Sequence, residues 1–318
     1  MRRRVPATLP MRLLTALRSS RGVAMQARGS GLRAAVHTVS SSAVEAESWA
    51  TIEDLQPLSP TTRLLRLRVE SPGSFSFAPG QWVDFTIPGT RHIGGYSITS
   101  LPSALPLLDL AVKASAHPPA AWCTTRAQPG DRVHLRVGGS FALREAEAAL
   151  FVAGGVGINP LYCMLRHLLC ASKPLAGGRA ALLYTAQSRD ELLFVSEVHA
   201  LAQAHPDRLR VWLRSTREPG RPLAVVDAAP GIVGYQSGRA NEAMLEQALQ
   251  WLGCQPNTTR HGRGVPWRAE STAREPGTAT FTTPATGAYV CGPPRMTDEM
   301  VASLKLMGVP HVYSEQWW

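Results

Sequence analysis

The sequence predicts a β barrel followed by an α/β domain with a doubly wound parallel sheet, and three observations support this. The chain has 318 residues, which is enough for two domains. Short runs of alternating polar and apolar residues, separated by turns, fill residues 48–144, as in an antiparallel barrel. In residues 147–318, apolar strands alternate with helical patterns, which indicates a parallel sheet covered by helices.

Turns bound the strands of the predicted barrel. Thr61–Glu70 alternates polar and apolar residues, as a half-buried strand does. A second alternating run, Gln81–Ile87, follows the turn at Pro79-Gly80. Leu107–Lys113 and Arg132–Val137 supply further strands, so the segment consists of short strands that can close on one another.

The α/β domain begins with the apolar strand Ala149–Ala153, a glycine loop and a helix with leucines at helical spacing. Asn159 is predicted to cap this helix, with Pro160 at its first position. The following elements alternate between strand and helix: Ala180–Thr185, Leu192–Ala204, Leu209–Leu213, Ala240–Leu252, Ala288–Cys291 and Thr297–Met307. Residues 255–287, rich in threonine, arginine, glycine and proline, are predicted to be a long loop or disordered insertion.

The positive charge of the chain is concentrated at its beginning. The net charge is +10, and residues 1–44 hold eight arginines and no acid, which leaves +2 for the rest. Arginine-rich, serine-rich and acid-poor composition is typical of a mitochondrial transit peptide, and a matrix location follows. The alternative is a disordered basic tail that binds RNA or lipid. We expect no nucleic-acid binding by the remainder of the chain.

Cysteine usage and hydropathy exclude several classes of protein. The five cysteines form no C-x-x-C pair, which argues against a disulfide framework, a zinc site or an iron–sulfur cluster. We therefore expect no metal site. No run reaches the roughly 18 apolar residues that a membrane-spanning helix needs, so we expect no transmembrane segment.

Two loops of the α/β domain are candidates for binding a nucleotide. Gly154, Gly155 and Gly157 lie between a strand and a helix, where a backbone without side chains approaches a pyrophosphate closely. The alternative is a tight strand–helix connection without a ligand. Cys291 and Gly292 follow a later strand and are expected to face the same crevice. The alternative for Cys291 is a buried structural cysteine.

The order of these motifs resembles the ferredoxin–NADP reductase-like family from about Trp49 to the end of the chain. The barrel carries Pro79-Gly-Gln-Trp82 and Gly95-Tyr-Ser-Ile98. The glycine loop, Cys291-Gly-Pro-Pro294 and Glu315-Gln-Trp-Trp318 follow in family order. The resemblance implies a flavin-binding barrel, a nicotinamide-nucleotide domain and hydride transfer between the two cofactors, with an unknown electron acceptor.

The resemblance also implies roles for individual residues. Ser97 near the flavin N5, Cys291 beside the nicotinamide C4 and Glu315 near the reacting edge are the expected catalytic residues. Tyr96 is expected to stack on the flavin, and Trp317 or Trp318 to cover it. The implied cofactor-binding residues are Tyr96, Ser97, Ile98, Lys113, Gly154, Gly155, Val156, Gly157, Ile158, Asn159, Cys291, Gly292, Pro293 and Trp318.

The choice of cofactor depends on a few positions that differ from the family. Gly94 stands where the family has an arginine for the flavin phosphate, and Pro118-Pro119 removes backbone donors from a second phosphate-binding turn. FAD or FMN is expected, but the alternative is a non-catalytic nucleotide-binding or assembly protein that has lost tight flavin binding. Arg217 is a possible partner for the 2′-phosphate of NADP. We expect NAD rather than NADP.

Overall fold

The computed structural model describes residues 46–144, 146, 148–170, 178–218, 231–256, 281–282 and 286–317. The predicted leader at 1–44 lies outside the described residues, and so does Trp318, which is expected to contact the flavin. The remainder belongs to one compact unit, Val44–Trp318.

The first half of this unit is an antiparallel barrel. Its elements are β1 (Glu47–Ser59), β2 (Thr62–Val69), β3 (Trp82–Thr86), β4 (Ile93–Ser97), β5 (Leu107–Lys113), α1 (Pro118–Thr125) and β6 (Arg132–Gly138). The strands pair in the order β4-β3-β6-β1-β2-β5, and a bridge from Ile98 to Leu110 joins the two edges. The barrel predicted from the alternating pattern is confirmed.

Alternation along β2 shows how the sequence builds this barrel. Leu65 and Leu67 are fully buried in the core, while Arg66 and Arg68 between and after them point outward. Arg66 binds Asp109 on the neighbouring strand, at 2.9 Å. The period of two thus separates an apolar interior from a charged exterior.

Helix α1 closes one side of the barrel and was not predicted as a helix. Pro118 and Pro119 occupy its first positions, where a missing N–H breaks no helical hydrogen bond. Ala120 and Cys123 pack into the barrel core. The turn predicted at Pro118-Pro119 is therefore the start of a helix.

The second half is an α/β layer structure built on a parallel sheet. Its main elements are β7 (Ala148–Gly154), α2 (Ile158–Cys170), β8 (Arg179–Ala186), α3 (Val195–Ala204), β9 (Leu209–Ser215), β10 (Ile232–Ser237), α4 (Glu242–Trp251), β11 (Gln255–Pro256), β12 (Phe281–Thr282), β13 (Thr286–Gly292), α5 (Pro294–Leu306) and β14 (His311–Gln316). The parallel strands follow the order β10-β9-β8-β7-β13-β14. Helices α2 and α3 contribute to the core on one face, and α4 and α5 to the core on the other.

Three local predictions in this half were wrong. Asn159 does not cap α2, because the helix begins at Ile158 and the Asn159 amide instead donates to the carbonyl of Ala111, at 2.9 Å. Helix α3 begins at Val195 rather than at the predicted residue 192, because Phe194 adopts a left-handed conformation with φ 58°. The predicted insertion at 255–287 includes residues that form strands.

The ends of the 255–287 segment are ordered strands. β11 pairs with β12 in antiparallel fashion, and Phe281 is buried in the core beneath α4 and α5. The last residues of the segment already belong to β13. The interior of the predicted insertion, residues 257–280 and 283–285, lies outside the described residues.

Candidate active site

The carboxyl ends of β7 and β13 lie side by side in the parallel sheet. From β7 the chain passes outward through β8, β9 and β10, and it returns on the other side of β7 as β13. This arrangement makes the junction of β7 and β13 the topological switch point, where open α/β sheets bind ligands. The glycine loop begins at the last residue of β7, and the Cys291-Gly-Pro-Pro294 turn begins with the last two residues of β13.

The two loops touch through backbone that only glycine permits. A Cβ on Gly157 would overlap the carbonyl oxygen of Cys291 and lie 2.7 Å from the nitrogen of Gly292. A Cβ on Gly292 would lie 3.0 Å from the Cα of Gly154. Gly155 differs, because it has φ +55° and, apart from its chain neighbours, no atom of the described residues lies within 4 Å of its Cβ position. An open glycine beside the start of α2 suits a phosphate group.

The C-terminal strand brings an acid and an indole to the Cys291 turn. In the pairing of β13 with β14, Cys291 lies opposite Glu315. The backbone N–H of Trp317 donates to the carbonyl of Gly292 at 3.0 Å, and its indole N–H donates to the Glu315 carboxylate at 3.1 Å. These hydrogen bonds fix the acid and the indole at the switch point.

Burial changes the protonation of both ionisable groups. It raises the pKa of Glu315 to about 7, although hydrogen bonds from the indoles of Trp317 and Trp82 act in the opposite direction. Burial, and then the charge of Glu315, raise the pKa of the Cys291 thiol well above its usual range. Cys291 is therefore a neutral thiol at physiological pH, and Glu315 exchanges a proton near neutrality.

The barrel meets this cluster through the outer face of β4. Trp82 and Ser97 are paired across β3 and β4, so their side chains share one face, and Gly95 lies on the same face. The indole of Trp317 covers Gly95, since a Cβ there would lie 3.3 Å from its ring. Glu315 of the α/β domain thus bonds to Trp82, the residue that is paired with Ser97 in the barrel.

Tyr96 points away from this cluster. It is paired with Val83, a core residue, and its ring lies edge-on to Phe85 with the centroids 5.5 Å apart. Burial, followed by the neighbouring Cys123, raises the pKa of the Tyr96 hydroxyl above its usual range. A Cβ on Gly94 would lie 2.6 Å from the Tyr96 hydroxyl oxygen. Tyr96 thus fills the space beside Gly94, and its expected stacking on a flavin stays a prediction.

Ile98 and Lys113, the other expected flavin neighbours of the barrel, have protein partners. Ile98 is buried in the barrel core, and its N–H donates to the carbonyl of Gln81 at 3.0 Å. Lys113 forms an ion pair with Glu191 of the α/β domain at 3.3 Å. Their roles toward a flavin stay predictions.

The remaining expected nucleotide contacts lie at or beside the two loops. Val156 is partly exposed, whereas Ile158 and Asn159 are buried. Pro293 is the residue before α5, and its ring and the thioether of Met296 lie against Gly154. The structure therefore brings the predicted residues of both loops together at one edge of the sheet.

Comparison with known proteins identifies the family. The profile of the oxidoreductase NAD-binding domain matches residues 151–302. Oxidoreductase NAD-binding domain-containing protein 1 of Danio rerio is 33% identical over 285 residues, covering 85% of this chain and 91% of that protein. The chain belongs to the family of oxidoreductase NAD-binding domain-containing protein 1. The predicted relationship to NAD-binding oxidoreductases is confirmed.

Solved structures confirm the fold class. The cytochrome P450 reductase GcoB of Amycolatopsis is similar with a TM-score of 0.62 and 20% identity, over 85% of this chain and 69% of that chain. The ferredoxin-NADP+ reductase of Plasmodium falciparum is similar with a TM-score of 0.60 and 15% identity, over 85% and 96%. The chain is thus an NAD-binding oxidoreductase-family protein with the ferredoxin–NADP reductase-like architecture.

A second polar cluster lies at the carboxyl end of β9. The Glu218 carboxylate accepts hydrogen bonds from the Tyr235 hydroxyl at 3.2 Å and from the backbone N–H of Arg189 at 3.1 Å. Arg217, the expected partner of a 2′-phosphate, is exposed beside it. Both an acid and a base therefore follow β9, and the acid is held by two hydrogen bonds.

Sequence reasoning missed three residues that shape the site. The sequence gives Trp82 no role beyond its place in Pro79-Gly-Gln-Trp82, and it assigns no role to Glu191 or Met296. Their partners lie far away in the chain, so the local pattern around each residue gives no signal for its contact. Within the described residues, no cluster of three or more His, Cys, Asp or Glu side chains suits a metal ion, and no helix is long and apolar enough to cross a membrane.

Proposed function

We propose that this protein is a mitochondrial flavin-dependent NAD(P)H oxidoreductase that passes electrons to an acceptor still to be identified. The observation that carries the proposal is the meeting of the glycine loop and the Cys291 turn at the switch point, where Trp317 bonds to Gly292 and covers the barrel strand that holds Ser97. When bound, the two cofactors supply hydride transfer between the nicotinamide C4 and the flavin N5.

A nicotinamide nucleotide fits the α/β side of the site. Gly155 offers an open backbone at the start of α2, where the helix dipole favours phosphate. Gly154 and Gly157 let the loop pack against the neighbouring turn without side chains. Cys291 presents a small, neutral group at the end of β13, and Glu315 holds or releases a proton beside it. These residues bind and orient the nucleotide, and they exclude water from its reacting end.

The barrel side fits a flat ring better than it fits the phosphate of a flavin. Gly95 and Ser97 leave room beside Trp82, and Trp317 covers Gly95, so a ring that enters there must displace the Trp317 indole. The start of α1 lacks the N–H groups of Pro118 and Pro119. We therefore propose that FAD or FMN binds weakly.

A specific observation favours a second candidate, a non-catalytic nucleotide-binding or assembly protein. The place of the missing arginine at Gly94 is filled by Tyr96, whose hydroxyl is buried beside Cys123. A loss of flavin binding with retained nucleotide binding would follow from this packing. The α/β side of the site would then keep its role while Ser97 loses its own.

Glu218 supports NAD rather than NADP as the nucleotide. A fixed carboxylate accepts a hydrogen bond from a ribose hydroxyl but repels a 2′-phosphate. Glu218 is held in place by Tyr235 and by the backbone of Arg189, whereas Arg217 next to it is exposed. The acid is thus the better-positioned of the two charges.

The proposal is tested by titrating the protein without residues 1–44 with FAD and FMN while the visible absorbance of the flavin is followed. NADH is then added without oxygen. Bleaching of bound flavin supports the reductase. If NADH binds to the folded protein but neither flavin does, the reductase is refuted and the non-catalytic protein is supported. Import of the full chain into isolated mitochondria, with shortening of the chain, tests the location.

A further inference from the structure

The turn after β8 reaches from the α/β domain onto the barrel. Glu191 ends a single 3₁₀ turn, Arg189–Glu191, which begins three residues after the end of β8. Its carboxylate accepts hydrogen bonds from the Thr61 hydroxyl at 2.6 Å, from the Lys113 ammonium at 3.3 Å and from the Ser59 hydroxyl at 3.4 Å. The Glu191 side chain is only 13% exposed. One carboxylate therefore joins the β1–β2 turn and the end of β5 to the other domain.

The α/β domain holds this turn in place on its own side. The N–H of Leu193 donates to the hydroxyl of Tyr184 at 2.8 Å, and Tyr184 is fully buried. Phe194 adopts φ 58°, which is unfavourable for a residue with a side chain, and stacks on Tyr162 at 4.3 Å with an interplanar angle of 6°. Such strain persists only where surrounding contacts enforce it. Glu191 is thus presented to the barrel by a rigid support.

Other contacts between the halves lie at different places. Asn159 donates to the carbonyl of Ala111, and the thiol of Cys163 donates to the carbonyl of Ser100 at 3.0 Å. Trp317 covers Gly95 at the reacting end. Glu191 adds a charged contact at the β1–β2 turn, so the barrel is held at more than one point and its rotation against the sheet is restricted.

We propose that Glu191 is a positioning residue that sets the distance and angle between Ser97 of the barrel and Cys291 of the α/β domain. The proposal rests on the function proposed above, because hydride transfer requires two ring systems in close, aligned contact. Glu191 touches neither expected ring. It acts through Thr61, which precedes β2, and through Lys113, the last residue of β5, and both strands belong to the barrel wall.

The test is Glu191→Ala, with Glu299→Ala as the matched control. Glu299 is an exposed acid whose ion pair, with Arg295, stays within α5. We expect kcat for NADH oxidation with ferricyanide, in the presence of added flavin, to fall about 10- to 100-fold in Glu191→Ala. The dissociation constant of NADH should stay unchanged, because the nucleotide loops are intact. The conservative variant Glu191→Gln still accepts a hydrogen bond from the Thr61 hydroxyl and should retain part of kcat.

Equal kcat values for Glu191→Ala and Glu299→Ala would overturn the positioning role. So would a Glu191→Gln variant that performs no better than Glu191→Ala, since the hydrogen bonds to the β1–β2 turn would then not be the cause.

A distance measurement separates this proposal from the proposed function. A spin label on the exposed native Cys170 of α2 is paired with one on Ser74→Cys, an exposed barrel position. Glu191→Ala should broaden the distance distribution, and Glu299→Ala should not. Broadening in a protein that never oxidises NADH would refute the reductase but support the domain-positioning role. Unchanged distributions would overturn the positioning role even if the reductase is active.

Discussion

Gly155 offers a sharp test of the nucleotide site. Its φ of +55° and the free space around its Cβ position allow an aspartate, a residue that tolerates the left-handed region. Gly155→Asp would place a negative charge at the start of α2, where we expect a phosphate. A charge about 5 Å from a phosphate costs about 1–3 kcal/mol at an effective dielectric constant between roughly 80 and 20.

This cost corresponds to an increase of about 5- to 150-fold in the dissociation constant of NADH. The matched control is Gly89→Asp, because Gly89 also has a positive φ, +77°, and an open Cβ position, but lies on an exposed barrel turn. Isothermal titration calorimetry with NADH measures both variants, and thermal unfolding checks that they are equally folded. If Gly155→Asp binds NADH as tightly as Gly89→Asp does, the glycine loop does not hold the phosphates.

Three further outcomes are expected. Folding raises the pKa of Glu315 from 4.5 to about 7, so the free energy of unfolding should decline as pH rises between these values. Glu315→Gln should remove this decline in denaturant titrations at pH 5 and pH 8. An unchanged difference between the two pH values would show that another group causes it. Gly94→Ala should lower the free energy of unfolding in denaturant titrations by about 1–3 kcal/mol, because the new Cβ crowds the Tyr96 hydroxyl. An unchanged free energy of unfolding would mean that the Tyr96 side chain turns outward without loss of stability. Glu218→Gln should lower the dissociation constant of NADPH relative to that of NADH, since a carboxylate no longer repels the 2′-phosphate. If the ratio of the two dissociation constants does not change in parallel titrations, Glu218 does not set the selectivity.

The periodic parts of the fold could be read from the sequence. Leu65 and Leu67 alternate with arginines and define a strand, and the leucines of α2 recur at helical spacing. Local chemistry also located the two loops of the site, because Gly157 and Gly292 are required where backbones touch. The periodic features depend on neighbouring residues, whereas the contact that requires Gly157 and Gly292 joins two distant loops.

Other features depend on contacts between distant segments. Asn159 is a residue type that often caps helices, yet its amide donates a hydrogen bond to a carbonyl 48 positions earlier in the chain. Phe194 carries no sequence signal for a left-handed conformation, and its stacking on Tyr162 is tertiary. The inward direction of Tyr96 follows from its register with Val83, which only the strand pairing fixes.

The most direct test of the central claim is anaerobic mixing of NADH with the flavin-loaded protein, using NADH that carries hydrogen or deuterium at the transferred position of C4. We predict that the flavin absorbance is lost, and that the loss is slower with deuterium, because the hydride passes directly between the cofactors. Flavin that stays oxidised in the presence of bound NADH would contradict the account.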